Sequence, residues 1–195
     1  MLYLNRKYFE KIGKQVGYAF SKIPVSPNHW TVISLILAFV TSYFLAAKEF
    51  VVAIIVFAFT AFIDMIDGAV ARHTKKVTKI GGYLDSIVDR SIEFVIILGL
   101  FFANYPDFII PIEVWLFLLL FGSFMSTYTR AAAFEKNVFK DLKGGILEHT
   151  DRLIFFLLIF IVSIFSLEKA SILIAIMSVL TVVSALQRFL KAIKR

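Results

Sequence analysis

Six long apolar runs fill most of this 195-residue chain, near 29–47, 51–72, 81–103, 110–134, 148–167 and 169–188. A bilayer core takes about 20 apolar residues per crossing helix, so each run has the length of a membrane span. Inside lipid every backbone N–H and C=O must be satisfied within the structure, which leaves helices or closed barrels. Continuous runs of this length read as helices. Six crossings use about 120 residues, and too little chain remains for a separate soluble domain. The expected fold is an all-α integral membrane protein, a single domain over 1–195 with a six-helix core at 29–188. Composition agrees: 59% of residues are hydrophobic and 18% charged, against about 45–50% and about 25% in soluble domains. Cysteine is absent, which excludes disulfides, thiolate metal sites and cysteine nucleophiles.

Residues 3–23 are different. Arg6, Lys7, Lys11, Lys14 and Lys22 are spread through them, so no apolar stretch of the signal-peptide kind exists. Phe9, Ile12, Val16, Ala19 and Phe20 recur at helical spacing, which predicts an amphipathic helix on the membrane surface. Pro24 and Pro27 end it, and Ser26 or Asn28 is placed to cap the first span.

The net charge is +7. With six spans, 19 of the 21 Lys and Arg residues fall toward one side, leaving only Lys48 and Lys169 on the other. The positive-inside rule makes the basic side cytoplasmic and puts both termini there. The charge then belongs to membrane orientation and anionic lipid. Nucleic acid is not expected as a partner, since no basic soluble domain is left to bind it.

The carboxylates carry the chemistry. Asp64, Asp67, Asp85 and Asp89 lie in or beside apolar spans, within 26 residues of one another. One ionised Asp at a bilayer centre costs about 2.5–3.5 kcal/mol, so such residues mark functional sites. Asp64, Asp67 and Ala71 share one helical stripe, and Gly81, Asp85 and Asp89 share another. A short basic loop at 73–80 joins the two spans, which are expected to be antiparallel neighbours with facing stripes. Two carboxylates about 4 Å apart repel by about 4 kcal/mol at an effective dielectric of 20. The cluster therefore needs protons, arginine or metal. Hard oxygen ligands, with no His or Cys in either stripe, suit Mg²⁺, Mn²⁺ or Ca²⁺. Gly68 and Ala71 leave room for another helix or for a flat ligand, and Arg72 pairs with a phosphate or snorkels to the surface.

The pattern Asp64-x2-Asp67-Gly68-x2-Ala71-Arg72-x8-Gly81-x3-Asp85-x3-Asp89 resembles the signature of the CDP-alcohol phosphotransferases at all eight positions. The six spans and the surface helix are also similar to that family. The resemblance implies attack by an acceptor hydroxyl on the β-phosphate of a CDP-linked alcohol, with release of CMP. It implies that Asp64, Asp67, Asp85 and Asp89 hold Mg²⁺ or Mn²⁺, two ions per site, with Asp89 also the general base. By the same resemblance Asp64, Asp67, Gly68, Ala71, Arg72, Gly81 and Asp85 bind the CDP moiety. Asn28 and Thr31 either touch the nucleotide or cap the first span. A homodimer is implied as well.

A second group lies near the same ends of the later spans: Arg130, Glu148-His149-x2-Arg152, and Arg188. Three arginines from three spans suit one phosphate, which guanidinium forks bind in bidentate fashion; each can instead snorkel. The group resembles the branch of the family that makes phosphatidylinositol phosphate or archaetidylinositol phosphate. There, matching basic residues hold the phosphate of inositol 1-phosphate. That branch usually has Glu-Arg-x2-Arg, so His149 removes one cation here and is either a neutral donor at the cytoplasmic surface or a plain substitution. Glu148 is expected to orient Arg152 or to bind a polyol hydroxyl. Lys140 and Lys143 read as a solvated loop face. Four Asn, two Gln and no Cys lean toward a thermophile, which favours CDP-archaeol over CDP-diacylglycerol as donor.

Glycerol 3-phosphate and serine are the rival acceptors, though serine does not need three arginines. A cation-coupled transporter would carry internal repeats or interrupted helices, and a membrane prenyltransferase would carry two Asp-rich motifs far apart. The sequence shows no repeat or interrupted span and its acids lie toward one side, which argues against the first; the single block at 64–89 argues against the second.

Overall fold

The computed structural model describes residues 6–138 and 145–193, with side chains from Gly13 onward. Lys140, Lys143, Lys194 and Arg195 lie outside the described residues, as do the side chains of Arg6, Lys7, Phe9, Lys11 and Ile12. The described residues form seven helices: α1 (Arg6–Ser21), α2 (Pro27–Ala46), α3 (Phe50–His73), α4 (Lys79–Phe102), α5 (Ile112–Glu135), α6 (His149–Phe165) and α7 (Leu167–Ile193). The six apolar runs are α2 to α7, shifted by a few residues at their ends. Among the described residues α2, α3, α5 and α7 are long and apolar enough to cross a membrane. The other two expected spans differ for evident reasons. α4 carries Asp85, Asp89, Arg90 and Glu93, and α6 has only 17 residues.

Local chemistry sets the helix ends. Pro27 opens α2 at a position where its missing N–H costs nothing. Ser26 is the N-cap residue, but its side chain makes no cap hydrogen bond; its hydroxyl lies 2.5 Å from His29 Nδ1 instead. Between α3 and α4 the chain reverses through Lys75 at φ 56°. Thr78 then caps α4 by accepting from Gly81 N at 2.9 Å.

The packing departs from the expected order in one respect. α3 and α4 follow each other in sequence but do not pack together: α2 lies against both. α5 packs on α4 and α7, and α6 packs on α3 and α7. α4 thus stands off from α3 and α6, and a seam is left between them. Small residues allow the closest crossings, as they must where lipid supplies no hydrophobic drive between helices. A Cβ on Gly99 would sit 2.8 Å from Ser42 Cα, and one on Gly122 would sit 2.7 Å from Val182 N. The apolar core fills the middle of the bundle, with Phe57, Phe156, Phe160, Ile96, Leu100 and Ile174 all buried.

α1 docks on α3 at the end of the bundle where α3 finishes and α4 begins. Gly17 packs against the Ala69 carbonyl, Tyr18 meets His73 edge-on at 5.8 Å, and Phe20 meets Trp30 and Phe62. Ala19, expected on the apolar face, is exposed. At the far end Tyr105 is buried and bonds Ser163 Oγ at 2.8 Å. Trp115 Nε1 donates to the Phe108 carbonyl at 2.8 Å.

Candidate active site

The seam between α4 and its neighbours holds the carboxylates. Helical spacing aims Asp64 and Asp67 from α3 and Asp85 and Asp89 from α4 into the same space. Ligand atoms of Asp64, Asp67 and Asp85 lie within 4.8 Å of one another, and so do those of Asp64, Asp89 and His149. Asp64 belongs to both groups. Its Oδ1 is buried with no hydrogen-bond partner, an arrangement that costs free energy unless something binds there. Carboxylate oxygens in two overlapping groups, one of them with an imidazole nitrogen, fit divalent cations. The stand-off between α3 and α4 leaves room for them.

Asp67 is held by Thr31, whose Oγ1 donates to Asp67 Oδ2 at 2.6 Å. Thr31 is buried and caps nothing. Both residues border a cavity of about 280 Å³ that continues from the carboxylates to the surface. Its walls are Pro27, Asn28 and Thr31 from α2, Asp67, Gly68, Ala71 and Arg72 from α3, and Gly81, Gly82 and Asp85 from α4. Lys76, Val77 and Thr78 close it from the loop. Every residue assigned to the nucleotide in the sequence except Asp64 lines this one cavity. Lys76 was missed, because the basic loop was read only for orientation. Arg72 folds back over Gly68: a Cβ there would meet Arg72 Nη1 at 3.1 Å.

Glu93 is the second residue that sequence reasoning passed over, although it continues the stripe Gly81, Asp85, Asp89 by one more turn. It is fully buried. Its Oε1 accepts from Arg152 Nε at 3.1 Å and Nη2 at 3.0 Å. It also lies 2.7 Å from His149 Nδ1 and 3.2 Å from Arg90 Nη2. Ser123 donates to its other oxygen. Arg90 in turn donates to Thr127 Oγ1 at 2.7 Å. The carboxylate partner of Arg152 is therefore Glu93 on α4. Glu148, expected in that role, is exposed at the start of α6, where its backbone N–H donates to Asp151 Oδ2 at 3.1 Å.

The three candidate arginines sit unequally. Arg152 is buried, and its Nη1 has no hydrogen-bond partner. Arg188 is buried and donates from Nη1 to the Ser126 carbonyl at 2.6 Å. Arg130 is exposed. Arg152 and Arg130 are both within electrostatic reach of Arg188. His149 was expected as a neutral donor at the cytoplasmic surface or as a plain substitution, away from the acids. The structure brings it from α6 to 3.7 Å from Asp89 and 4.0 Å from Asp64.

The sequence profile of the CDP-alcohol phosphatidyltransferases matches residues 24–185. The archaetidylinositol phosphate synthase of Pyrococcus horikoshii is 34% identical, over 93% of this chain and 91% of its own length. That of Aeropyrum pernix is 28% identical, over 94% of this chain and 91% of its own. The fold is shared with the phosphatidylinositol phosphate synthase PgsA1 of Mycobacterium tuberculosis. With CDP-DAG bound, that structure superposes with a TM-score of 0.83 at 22% identity, covering 94% of both chains. Its complex with manganese and citrate gives 0.82 at 22% identity, covering 93% of this chain and 89% of the other.

Proposed function

The chain belongs to the CDP-alcohol phosphatidyltransferase family, and we propose that it makes a phosphoinositide lipid. It transfers the phosphatidyl or archaetidyl group of a CDP-activated lipid to a hydroxyl of inositol 1-phosphate and releases CMP. The observation that carries this reading is the pair of carboxylate groups sharing Asp64, set beside a nucleotide-sized cavity on one side and three arginines on the other.

Asp64, Asp67, Asp85 and Asp89 would hold two Mg²⁺ or Mn²⁺ ions; such ions neutralise the carboxylates and stabilise charge on attacking and leaving oxygens. Gly68 and Ala71 leave the wall flat enough for cytidine, and Asn28, Thr31 and Gly81 border it. Arg72 and Lys76 meet the phosphates of the nucleotide. Asp89 takes the proton from the acceptor hydroxyl, whose oxygen bonds to the β-phosphorus as the bond to the CMP oxygen breaks. Arg130, Arg152 and Arg188 bind the acceptor phosphate. Arg152 Nη1 offers the donor still to be satisfied, and Glu93 fixes the rest of that guanidinium.

In this reading the chain is one domain. All six helices α2 to α7 cross the plasma membrane, and α1 lies on its surface. The charges of α4 are tolerated because they face the seam and not lipid. The basic ends, both termini and the site face the cytoplasm. The working unit is a homodimer, as the family resemblance implies.

The test is CMP release by purified protein supplied with CDP-archaeol or CDP-diacylglycerol. Inositol 1-phosphate, free inositol, glycerol 3-phosphate and serine are offered separately, with Mg²⁺ and with EDTA. Metal-dependent release with inositol 1-phosphate alone is expected. Release with glycerol 3-phosphate instead keeps the reaction and overturns the acceptor.

A further inference from the structure

His149 brings to the carboxylates an imidazole that the signature does not supply. It arrives on a helix that packs on α3 and not on α4. Its two ring nitrogens face opposite chemistry. Nδ1 lies 2.7 Å from Glu93 Oε1 and 2.8 Å from Arg90 Nη2. Nε2 faces Asp89 Oδ1 at 3.7 Å and Asp64 Oδ2 at 4.0 Å.

The contact with Glu93 favours one tautomer. A lone pair on Nδ1 would point at a buried carboxylate oxygen, acceptor against acceptor. A proton on Nδ1 gives Glu93 a donor; Arg90 Nη2, itself 2.8 Å from Nδ1, then directs its hydrogens to Glu93 and Asp89, with Nη1 on Thr127. With Nδ1 protonated, the lone pair of Nε2 is directed at Asp64 and Asp89. The separations there are too long for hydrogen bonds. They do suit atoms sharing an ion: two metal bonds of about 2.1 Å place their ligands at most about 4.2 Å apart. A carboxylate gripping the far nitrogen of a ligating histidine is also the usual way such a ring is oriented and made more basic.

We propose that His149 is a metal ligand, completing with Asp64 and Asp89 a mixed nitrogen and oxygen site held in place by Glu93. The proposal rests on the reading of the carboxylates as metal ligands and adds a donor of different kind. Its consequence is selectivity. Imidazole suits first-row transition ions, whereas Mg²⁺ prefers carboxylate and water. One of the two sites therefore prefers Mn²⁺ over Mg²⁺, and the Asp64, Asp67, Asp85 group, all oxygen, does not.

The experiment is pulsed EPR on the full-length protein loaded with Mn²⁺, prepared once with natural histidine and once with ¹⁵N-histidine. A nitrogen coupling that changes from ¹⁴N to ¹⁵N on labelling is expected, and its loss in His149→Gln with Mn²⁺ still bound. The same variant should lower the preference for Mn²⁺ over Mg²⁺ by roughly tenfold or more in competition titrations. Bound Mn²⁺ without nitrogen coupling overturns the proposal and leaves the carboxylate reading intact. Coupling that survives in His149→Gln assigns it to His29 or His73 and overturns the proposal too. No Mn²⁺ binding at all overturns both. The labelled wild-type protein decides the matter even if the variant fails to fold.

Discussion

One oxygen of Glu93 accepts two hydrogen bonds from Arg152, at 3.1 and 3.0 Å, across helices whose backbones do not pack on each other. The pair is buried on both sides and ties α4 to α6 through side chains alone. Removing one member strands the other, which costs about 3–5 kcal/mol, while replacing both with apolar residues costs much less. Thermal unfolding in detergent should show large, similar losses for Glu93→Ala and Arg152→Met. Glu93→Leu combined with Arg152→Met should be markedly more stable than either single change. Strictly additive losses would show that the two side chains are energetically uncoupled.

Asp89→Asn keeps an oxygen ligand and removes the proton acceptor. CMP release is expected to fall by about 10²–10⁴-fold, with CDP-lipid binding retained. Binding is measured separately with a labelled nucleotide lipid. Turnover at the parent rate would remove Asp89 from the base role.

Arg188→Ala should separate the two substrates. A hydrogen bond to a charged group contributes about 1.5–3 kcal/mol, so the KM for the phosphorylated acceptor should rise roughly ten- to a hundredfold. The KM for the CDP-lipid should stay close to its parent value. Equal shifts in both would place Arg188 outside the acceptor pocket. Arg152→Ala is less clean, because it also strands Glu93.

Tyr105 lies in the connection between α4 and α5, far from the carboxylates along both helices. Burial pushes its hydroxyl up from 10.0 to about 12, with the bond to Ser163 working in the opposite direction. Above pH of about 10 an unfolded tyrosine loses its proton while this one keeps it. Stability from this group is therefore complete below that pH and is lost as pH rises toward 12. Tyr105→Phe should lower Tm modestly at pH 7, since one hydrogen bond contributes about 0.5–1.5 kcal/mol. It should also flatten the fall in Tm between pH 10 and 12. CMP release at neutral pH is expected to be unchanged.

Much of this molecule was legible in the sequence because its strongest signals are local. Apolar runs gave the six helices of the bundle, and turn residues such as Pro27 gave their ends. Spacing of three and four put Asp64 with Asp67 and Asp85 with Asp89. What stayed hidden was non-local. The separation of α3 from α4 comes from α2 packing on both, and no loop length reveals it. Glu93 continues the acidic stripe but sits among Ile92, Phe94 and Val95, where the eye reads a membrane core. His149 is 56 residues from Glu93 along the chain, so only the docking of α6 brings them together. Thr31 carried a capping signal and turned out to hold Asp67, since Pro27 already starts the helix without it.

The position of Asp64 in both ligand groups has a thermodynamic consequence. Whatever neutralises its charge on one side changes the field that the other side offers, so the two groups cannot titrate as independent sites. By reciprocity, the factor by which the first occupant alters the affinity of the second equals the factor by which the second alters the first. Occupancy of the pair is then a joint property, described by a coupling constant as well as two separate dissociation constants.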